Sequence, residues 1–306
     1  IIDSAKREEI LNNCKDKSEK ERTSKLIKKM LRGRDIKRYS YEWAGLWLIN
    51  THNGYTTSDS SLTQSLQELQ QNASVITDKV TPSHFASQPT NLTQDTRIAK
   101  DTESKKVKIP PIDINDYPTL KAYFDEIGKN HKGKGKGLFD REDQGITPYN
   151  LRNCAYLEEF EKEKIVYSEI VRNSQFYLDS DKYNPDRFYA EATSFILTGE
   201  NLHYLLAILN SKCATFVFKT FYAGGGLGES GFRYKKQFLE KLPIPKIDST
   251  NKALSDEIIS LVEQILDSKA KDPTTDTKEL ESKIDFLVYK LYHLTNDEIK
   301  IIENKE

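Results

Sequence analysis

A glycine-rich segment lies directly before a basic and aromatic cluster around residue 230. Five of the 14 glycines in the 306-residue chain fall in this segment, at Gly224, Gly225, Gly226, Gly228 and Gly231. The cluster that follows consists of Arg233, Tyr234, Lys235 and Lys236. Glycine lets a backbone approach a ligand closely, lysine and arginine neutralise phosphates, and aromatic rings stack on bases. We therefore expect this stretch to contact a nucleic acid, although a long hairpin or linker loop could have the same composition.

Four further segments carry cationic or amide side chains where turn residues predict loops. Arginine can pair with guanine and asparagine with adenine, while lysine binds the phosphate backbone. The candidate DNA-binding side chains are, in chain order, Arg34, Lys37 and Arg38; Lys132, Lys134 and Lys136; Tyr149, Asn150 and Arg152; Arg172 and Asn173; and Arg233, Lys235 and Lys236. The alternative for each segment is a solvated loop whose charges form surface ion pairs, and the sequence leaves both interpretations open.

The motifs of DNA-modifying active sites are incomplete in this sequence. A methyltransferase acting on the amine of adenine would carry Asn/Asp-Pro-Pro-Tyr/Phe, whereas residues 184–187 read Asn-Pro-Asp-Arg and lack the aromatic ring that stacks on a flipped base. Glu-Ser-Lys triplets at residues 103–105 and 281–283 have the spacing of a metal-dependent nuclease. Such triplets arise by chance in a chain with 30% charged residues. No Lys-Ser/Thr pair follows the glycine segment, so it is not a phosphate-binding P-loop.

Charge is unevenly distributed along a chain whose net charge is −1. Residues 25–38 carry seven lysines and arginines against one aspartate, whereas residues 248–306 carry 14 acidic residues against 8 lysines. The basic run suits a polyanion and the acidic tail does not.

The three cysteines and five histidines are scattered, so no metal site is expected and a reducing cytoplasm is the expected location. No apolar run has the length of a membrane span and there is no signal peptide. Because the chain begins at Ile1 without a methionine, we expect it to be part of a longer protein.

Hydrophobic periodicity predicts the elements that position these loops. Helical spacing of apolar residues predicts helices over residues 18–31, 116–127 and 202–213. Short apolar runs between turn residues predict strands over residues 43–49, 165–171, 175–178, 187–189 and 193–197. Two amphipathic stretches around residues 258–266 and 280–291 predict a helical hairpin, and Thr295 and Glu298 have the spacing of a capping box for a final helix.

The predicted fold class is mixed α/β, with a twisted mixed or antiparallel sheet, flanking helices and a C-terminal helical hairpin. Residues 1–50 would form the N-terminal helices and the basic turn. Residues 51–106 are polar and of low complexity, and we interpret them as an insertion. Residues 107–247 would form the recognition domain, with Pro243 and Pro245 at its end, and residues 248–306 the hairpin.

Several blocks of the sequence resemble the TaqI-like C-terminal specificity domain, the target-recognition region of type IIG restriction-modification enzymes and related adenine-specific DNA methyltransferases. The blocks are residues 31–39, 46–50, 147–154, 169–170 and 205–211, the glycine segment, and residues 242–245. They occur in the order of that family and cover most of the chain except residues 51–106. The resemblance identifies a family but gives no information about the DNA sequence recognised.

The resemblance implies that the chain supplies double-stranded DNA recognition to catalytic domains that precede it in the parent protein. Those methyltransferase and nuclease domains would bind S-adenosylmethionine and Mg²⁺, and no cofactor is expected in this segment. Two alternatives remain open. One is a metal-dependent nuclease built from scattered carboxylates, and the other is an interaction module that docks a partner protein through the C-terminal helices.

Overall fold

A computed structural model describes residues 1–57, 107–129, 137–222 and 231–304. Within these ranges the α-helices are α1 (Ser4–Asn12), α2 (Lys17–Leu26), α3 (Pro118–Lys129), α4 (Leu202–Asn210), α5 (Lys212–Val217), α6 (Lys236–Leu239), α7 (Lys252–Lys271), α8 (Lys278–Leu291) and α9 (Asn296–Glu303). The strands are β1 (Ile2–Asp3), β2 (Ile27–Leu31), β3 (Ile36–Lys37), β4 (Ser40–Tyr41), β5 (Leu46–Ile49), β6 (Tyr55–Thr57), β7 (Val107–Ile109), β8 (Lys164–Ser168), β9 (Ile170–Val171), β10 (Phe176–Asp179), β11 (Phe188–Ala190), β12 (Ser194–Leu197) and β13 (Phe232–Arg233). The predicted mixed α/β class is confirmed.

A four-stranded mixed sheet has the order β1-β5-β2-β11. Strand β11 runs parallel to β2, and the other pairs are antiparallel. The prediction of one helix over residues 18–31 is wrong, because α2 ends at Leu26 and the following five residues form β2. The helix also begins earlier than predicted, since the side chain of Asp16 caps it by accepting from the backbone N–H of Glu19. Strand β2 brings the basic turn to the ends of β8 and β12 in the second sheet.

The second sheet is antiparallel and has the order β10-β8-β12. Lys164 and Asp179 lie opposite each other on β8 and β10, fully buried, with 2.6 Å between Nζ and Oδ2. The Lys164 amine also donates to the carbonyl of Phe160, while Asp179 accepts from the side chain of Asn184 and the backbone N–H of Phe188. Burial lowers the pKa of Lys164, and the carboxylate of Asp179 opposes that shift. This network fixes the pairing of the two strands and the start of β11.

The predicted C-terminal hairpin forms and packs into the main core. Helix α4 lies against β10 and α7, and α7 packs along α8. One apolar cluster joins Leu178 of the sheet, Leu206 of α4, Ile258 of α7 and Val288 of α8. Residues on both sides of position 247 therefore share one core. The predicted capping box is present at the start of α9, where Thr295 and Glu298 exchange hydrogen bonds.

A second apolar cluster lies between α1, α2, α3 and the first sheet, and contains Ile10, Leu26 and Leu120. Next to it, β6 and β7 pair as an antiparallel ribbon on either side of residues 58–106. These residues, which hold most of the predicted insertion, lie outside the described chain. Among the described helices, none has the length and apolar character that crossing a membrane requires.

Candidate nucleic-acid interface

A ribbon formed by β9 and β13 carries Arg233 and is flanked by several other predicted DNA-binding side chains. The strands are antiparallel, with Phe232 opposite Val171 and Arg233 opposite Ile170. Gly231, the last glycine of the glycine-rich segment, has a φ of +104°, and a Cβ at this position would overlap the carbonyl oxygen of Val171. Glycine adopts this conformation without strain and leaves room for the close approach. The chain therefore enters β13 at a fixed point on β9.

Tyr234 attaches the ribbon to the main core. Its buried ring stacks on Phe218, with 4.0 Å between the ring centroids and 6° between the ring planes. Its hydroxyl lies 2.9 Å from that of Ser174, and its backbone N–H donates to the carbonyl of Glu169. Burial raises the pKa of Tyr234 to about 12. This aromatic ring therefore supports the ribbon from inside and is not free to stack on bases.

Exposed cations surround the ribbon. Arg172 and Lys235 are exposed and make no ion pair with any residue that the structure describes. Arg233 is also exposed, and its Nε lies 3.5 Å from a carboxylate oxygen of Glu169. The other two predicted residues here are exposed and have weak contacts, since Asn173 lies 3.5 Å from Lys219 Nζ and Lys236 lies 3.5 Å from Glu240. Cations with weak partners or none can exchange them for phosphates at small cost.

The turn after β2 completes the same surface. Arg32 holds this turn by a bidentate ion pair with Asp35, with distances of 2.8 and 2.7 Å. A Cβ on Gly33 would lie 2.6 Å from Ser168 Oγ and 2.8 Å from the carbonyl oxygen of Thr193, so the turn packs tightly against the ends of β8 and β12. Arg34 remains exposed, and it too lacks an ion pair within the described ranges.

An open groove of about 460 Å³ lies between this turn and the ribbon. Its walls are formed by Arg32 and Arg34 of the turn, residues 168–170 of β8 and β9, Glu191 and Thr193. Ile170 belongs to both the groove and the ribbon, and Glu169 precedes it directly, so the turn, the groove and the ribbon form one continuous surface. We call it the reading face.

The other cations of the basic run between residues 25 and 38 are mostly neutralised by the fold. Lys28, Lys29, Arg32, Lys37 and Arg38 pair with Glu161, Asp186, Asp35, Glu42 and Glu281, respectively. Arg38 contacts α8 in this way, with 2.5 Å between its Nε and Glu281 Oε2, and it lies away from the reading face. Of the three predicted contacts in this run, Arg34 is therefore the one whose side chain makes no ion pair with a described residue.

The segment containing Tyr149, Asn150 and Arg152 packs on the second apolar cluster and not beside the ribbon. Asn150 is buried, and its amide donates to the carbonyls of Ile112 and His52 while its oxygen accepts from Thr147. We therefore remove Asn150 from the candidate DNA contacts, because its side chain holds the loop together. The hydroxyl of Tyr149 donates to Asp125, and Arg152 is exposed.

Four predicted glycines, Gly224, Gly225, Gly226 and Gly228, and the lysines Lys132, Lys134 and Lys136 lie outside the described residues. Glu191, which lines the groove, and Lys219, which lies near Asn173, are not among the residues predicted from the sequence. The sequence around Glu191 carries no local signal of this role, because Glu191 reaches the groove through the pairing of β11 with β2. Among the described residues, no group of three or more His, Cys, Asp or Glu side chains could hold a metal ion.

A β ribbon flanked by exposed arginines and lysines is typical of nucleic-acid-binding domains, the class to which this fold and site correspond. Comparison with protein families matches residues 28–244 to the TaqI-like C-terminal specificity domain. This match covers more than two thirds of the sequence, and the chain belongs to that family. It is thus a DNA sequence-specificity domain of the restriction-modification type. The search of curated proteins returned no match.

Proposed function

We propose that the chain is the target-recognition domain of a type IIG restriction-modification enzyme, which methylates adenine N6 in a specific double-stranded sequence and cuts DNA. In this proposal the methyltransferase and nuclease domains lie N-terminal to it in the parent protein. Those domains bind S-adenosylmethionine and Mg²⁺, and the enzyme acts in the cytoplasm. The domain described here positions the duplex and reads its bases, and it contributes no catalytic residue.

The observation that carries this proposal is the group of exposed cations on the reading face. Five cations of the basic run have carboxylate partners, whereas Arg34, Arg172 and Lys235 have no ion pair with a described residue. The ribbon beneath two of these side chains is held by Tyr234 and by the close packing of Gly231. A rigid support reduces the entropy lost when side chains bind a ligand.

The two alternative functions have less support from the contacts. Docking of a partner through the C-terminal hairpin would need its apolar stripes, but Ile258, Val262 and Val288 are buried in the core of the chain itself. A nuclease site at residues 281–283 would need a free carboxylate, but Glu281 pairs with Arg38. The triplet at residues 103–105 lies outside the described chain.

The proposal is tested by fluorescence anisotropy of a labelled duplex titrated with the 306-residue chain at several salt concentrations. Replacing Arg172, Arg233 and Lys235 together by alanine should weaken binding. It should also lower the slope of log K against log salt by roughly 0.9 for each phosphate that is no longer neutralised, or about 2 to 3 in total.

The matched control replaces Lys252, Lys283 and Lys300, three exposed lysines of α7, α8 and α9, by alanine. The net charge changes equally in both triple variants, but the control should keep the affinity and slope of the wild type. Equal losses in the two variants would mean that binding follows net charge and that the reading face is not the site. A wild-type chain that fails to bind any duplex even at low salt would refute the proposal.

A further inference from the structure

The groove of the reading face contains carboxylates as well as arginines. Glu169 and Glu191 line it together with Arg34. A carboxylate repels a phosphate, so on a surface that bound only the DNA backbone these two residues would weaken binding. In the major groove, in contrast, a carboxylate has a suitable partner, because the exocyclic amines of cytosine and adenine donate hydrogen bonds. Phosphate binding alone therefore does not account for the two carboxylates in this groove.

Glu191 is held in a defined orientation. Its Oε2 accepts from the backbone N–H of Thr193 over 3.1 Å and from the Thr193 hydroxyl over 2.5 Å. Its backbone N–H donates to the carbonyl of Leu31, and its carbonyl accepts from Ser194. Hydrogen bonds thus hold both the backbone and the side chain of Glu191 between β2, β11 and β12. Its Oε1 makes no hydrogen bond with a residue that the structure describes.

Glu169 forms an ion pair with Arg233, which lies 3.5 Å away across the ribbon. Glu191 makes no ion pair with a residue that the structure describes, although the charge of Arg32 acts on it. Of the two carboxylates in the groove, Glu191 is therefore the one without an ion-pair partner among the described residues, and its Oε1 has no hydrogen bond to them. Arg34, on the wall formed by the turn, supplies donors to the same groove. A donor and an acceptor in one groove match a G·C pair, which presents guanine O6 and N7 as acceptors and cytosine N4 as a donor.

We propose that Glu191 is a specificity-determining residue that reads the exocyclic amine of one base in the recognition site, cytosine N4 or adenine N6, through Oε1. At that position thymine presents O4 and guanine presents O6, and an acceptor facing the carboxylate is repelled. Glu191 therefore selects an amino-bearing base by rejecting carbonyl-bearing ones. This inference rests on the proposed function, since it assumes that the reading face enters the major groove of DNA.

The test begins with selection of bound sequences from a randomised duplex library by the 306-residue chain, in the wild-type form and as Glu191→Gln. Glutamine keeps an oxygen to accept from Thr193 but adds a donor, so it no longer rejects carbonyl groups. Wild type should enrich cytosine or adenine at one position. The variant should retain the rest of the motif and lose that preference. Glu257→Gln, an exposed change of the same charge on α7, should select the wild-type motif.

An analogue without the amine then identifies the atom that is read. The enriched base is replaced by 2-pyrimidinone if it is cytosine, or by unsubstituted purine if it is adenine. Wild-type affinity should fall about tenfold, whereas Glu191→Gln should bind the natural and analogue duplexes equally. Glu191→Ala provides a second readout. It should bind duplexes without the motif more tightly than wild type, because a negative charge is removed, while its preference for the motif falls.

Two outcomes separate this inference from the function on which it rests. If wild type enriches no motif, the proposed function fails and the role of Glu191 fails with it. If wild type enriches a motif that Glu191→Gln reproduces at every position, or if the analogue weakens both proteins equally, the reading face still binds DNA and only the role of Glu191 is overturned.

Discussion

The buried pair of Lys164 and Asp179 provides a quantitative test of how the second sheet is held together. Replacement of Lys164 by methionine preserves most of the aliphatic volume and removes the charge. It leaves the carboxylate of Asp179 fully buried and without an ion-pair partner among the described residues. The carboxylate keeps two hydrogen bonds, of 2.7 Å from the side chain of Asn184 and 2.8 Å from the backbone of Phe188.

Removing one partner of a buried ion pair costs roughly 3–5 kcal/mol. Because the remaining hydrogen bonds solvate Asp179 in part, we expect Lys164→Met to lower the free energy of unfolding by about 3 kcal/mol. That is a large part of the roughly 5–15 kcal/mol that stabilises a typical domain. Adding Asp179→Asn removes the buried charge, so the double variant should be more stable than Lys164→Met alone.

Urea unfolding at neutral pH, followed by circular dichroism, measures these differences. The control is Lys162→Met, which removes a lysine two residues away that pairs with Glu159 at the surface. An exposed pair contributes about 0–1 kcal/mol, so the control should lose little. If Lys164→Met destabilises the protein no more than Lys162→Met does, or if the double variant is the least stable of the three, the argument from burial is wrong.

Two further predictions concern the ribbon and the C-terminal helices. Gly231→Ala should force β13 away from Val171, at a cost of about 1–3 kcal/mol in local strain, and should therefore weaken duplex binding. Unchanged affinity in the anisotropy assay would contradict a role for the ribbon geometry. Asp285 accepts from the backbone N–H of Lys212 at the start of α5, and burial raises its pKa to about 6, above its ordinary value of 3.8. Between these values the native state holds a proton that the unfolded chain has lost, so this group lowers stability as pH rises from about 4 to about 6, by on the order of 3 kcal/mol. The Asp285→Asn variant should not show this decline in stability. If plots of the unfolding midpoint against pH run parallel for the wild type and the variant, Asp285 is not the cause of the decline.

The strands after residue 164 could be predicted because each combines a short apolar run with flanking turn residues. Residues 27–31 could not, since the spacing of Leu26, Ile27, Met30 and Leu31 fits a helix as well as a strand. The choice depends on the partners β5 and β11, and β11 lies more than a hundred residues further along the chain. Local periodicity contains no information about such a partner.

The types of residue in the candidate site could be predicted from the sequence, but which individual residues belong to it could not. Arg34 and Arg38 are equivalent in the sequence, yet the fold places Arg38 against Glu281 and leaves Arg34 exposed. Asn150 was a reasonable candidate to read adenine until the structure placed its amide between three loop groups. Which polar side chain is used internally depends on tertiary contacts, and residue type alone does not determine them.

The parallel pairing of β11 with β2 also determines when the groove can form during synthesis. Strand β2 and the turn containing Arg34 leave the ribosome more than 150 residues before β11 and Glu191 do. Until then one edge of β2 is unpaired, and closing so long a loop is a slow step in folding. A nascent chain that stops short of β11 would therefore carry the basic turn without the opposite wall of the groove. The groove therefore forms late, only after β11 has been synthesised and has paired with β2.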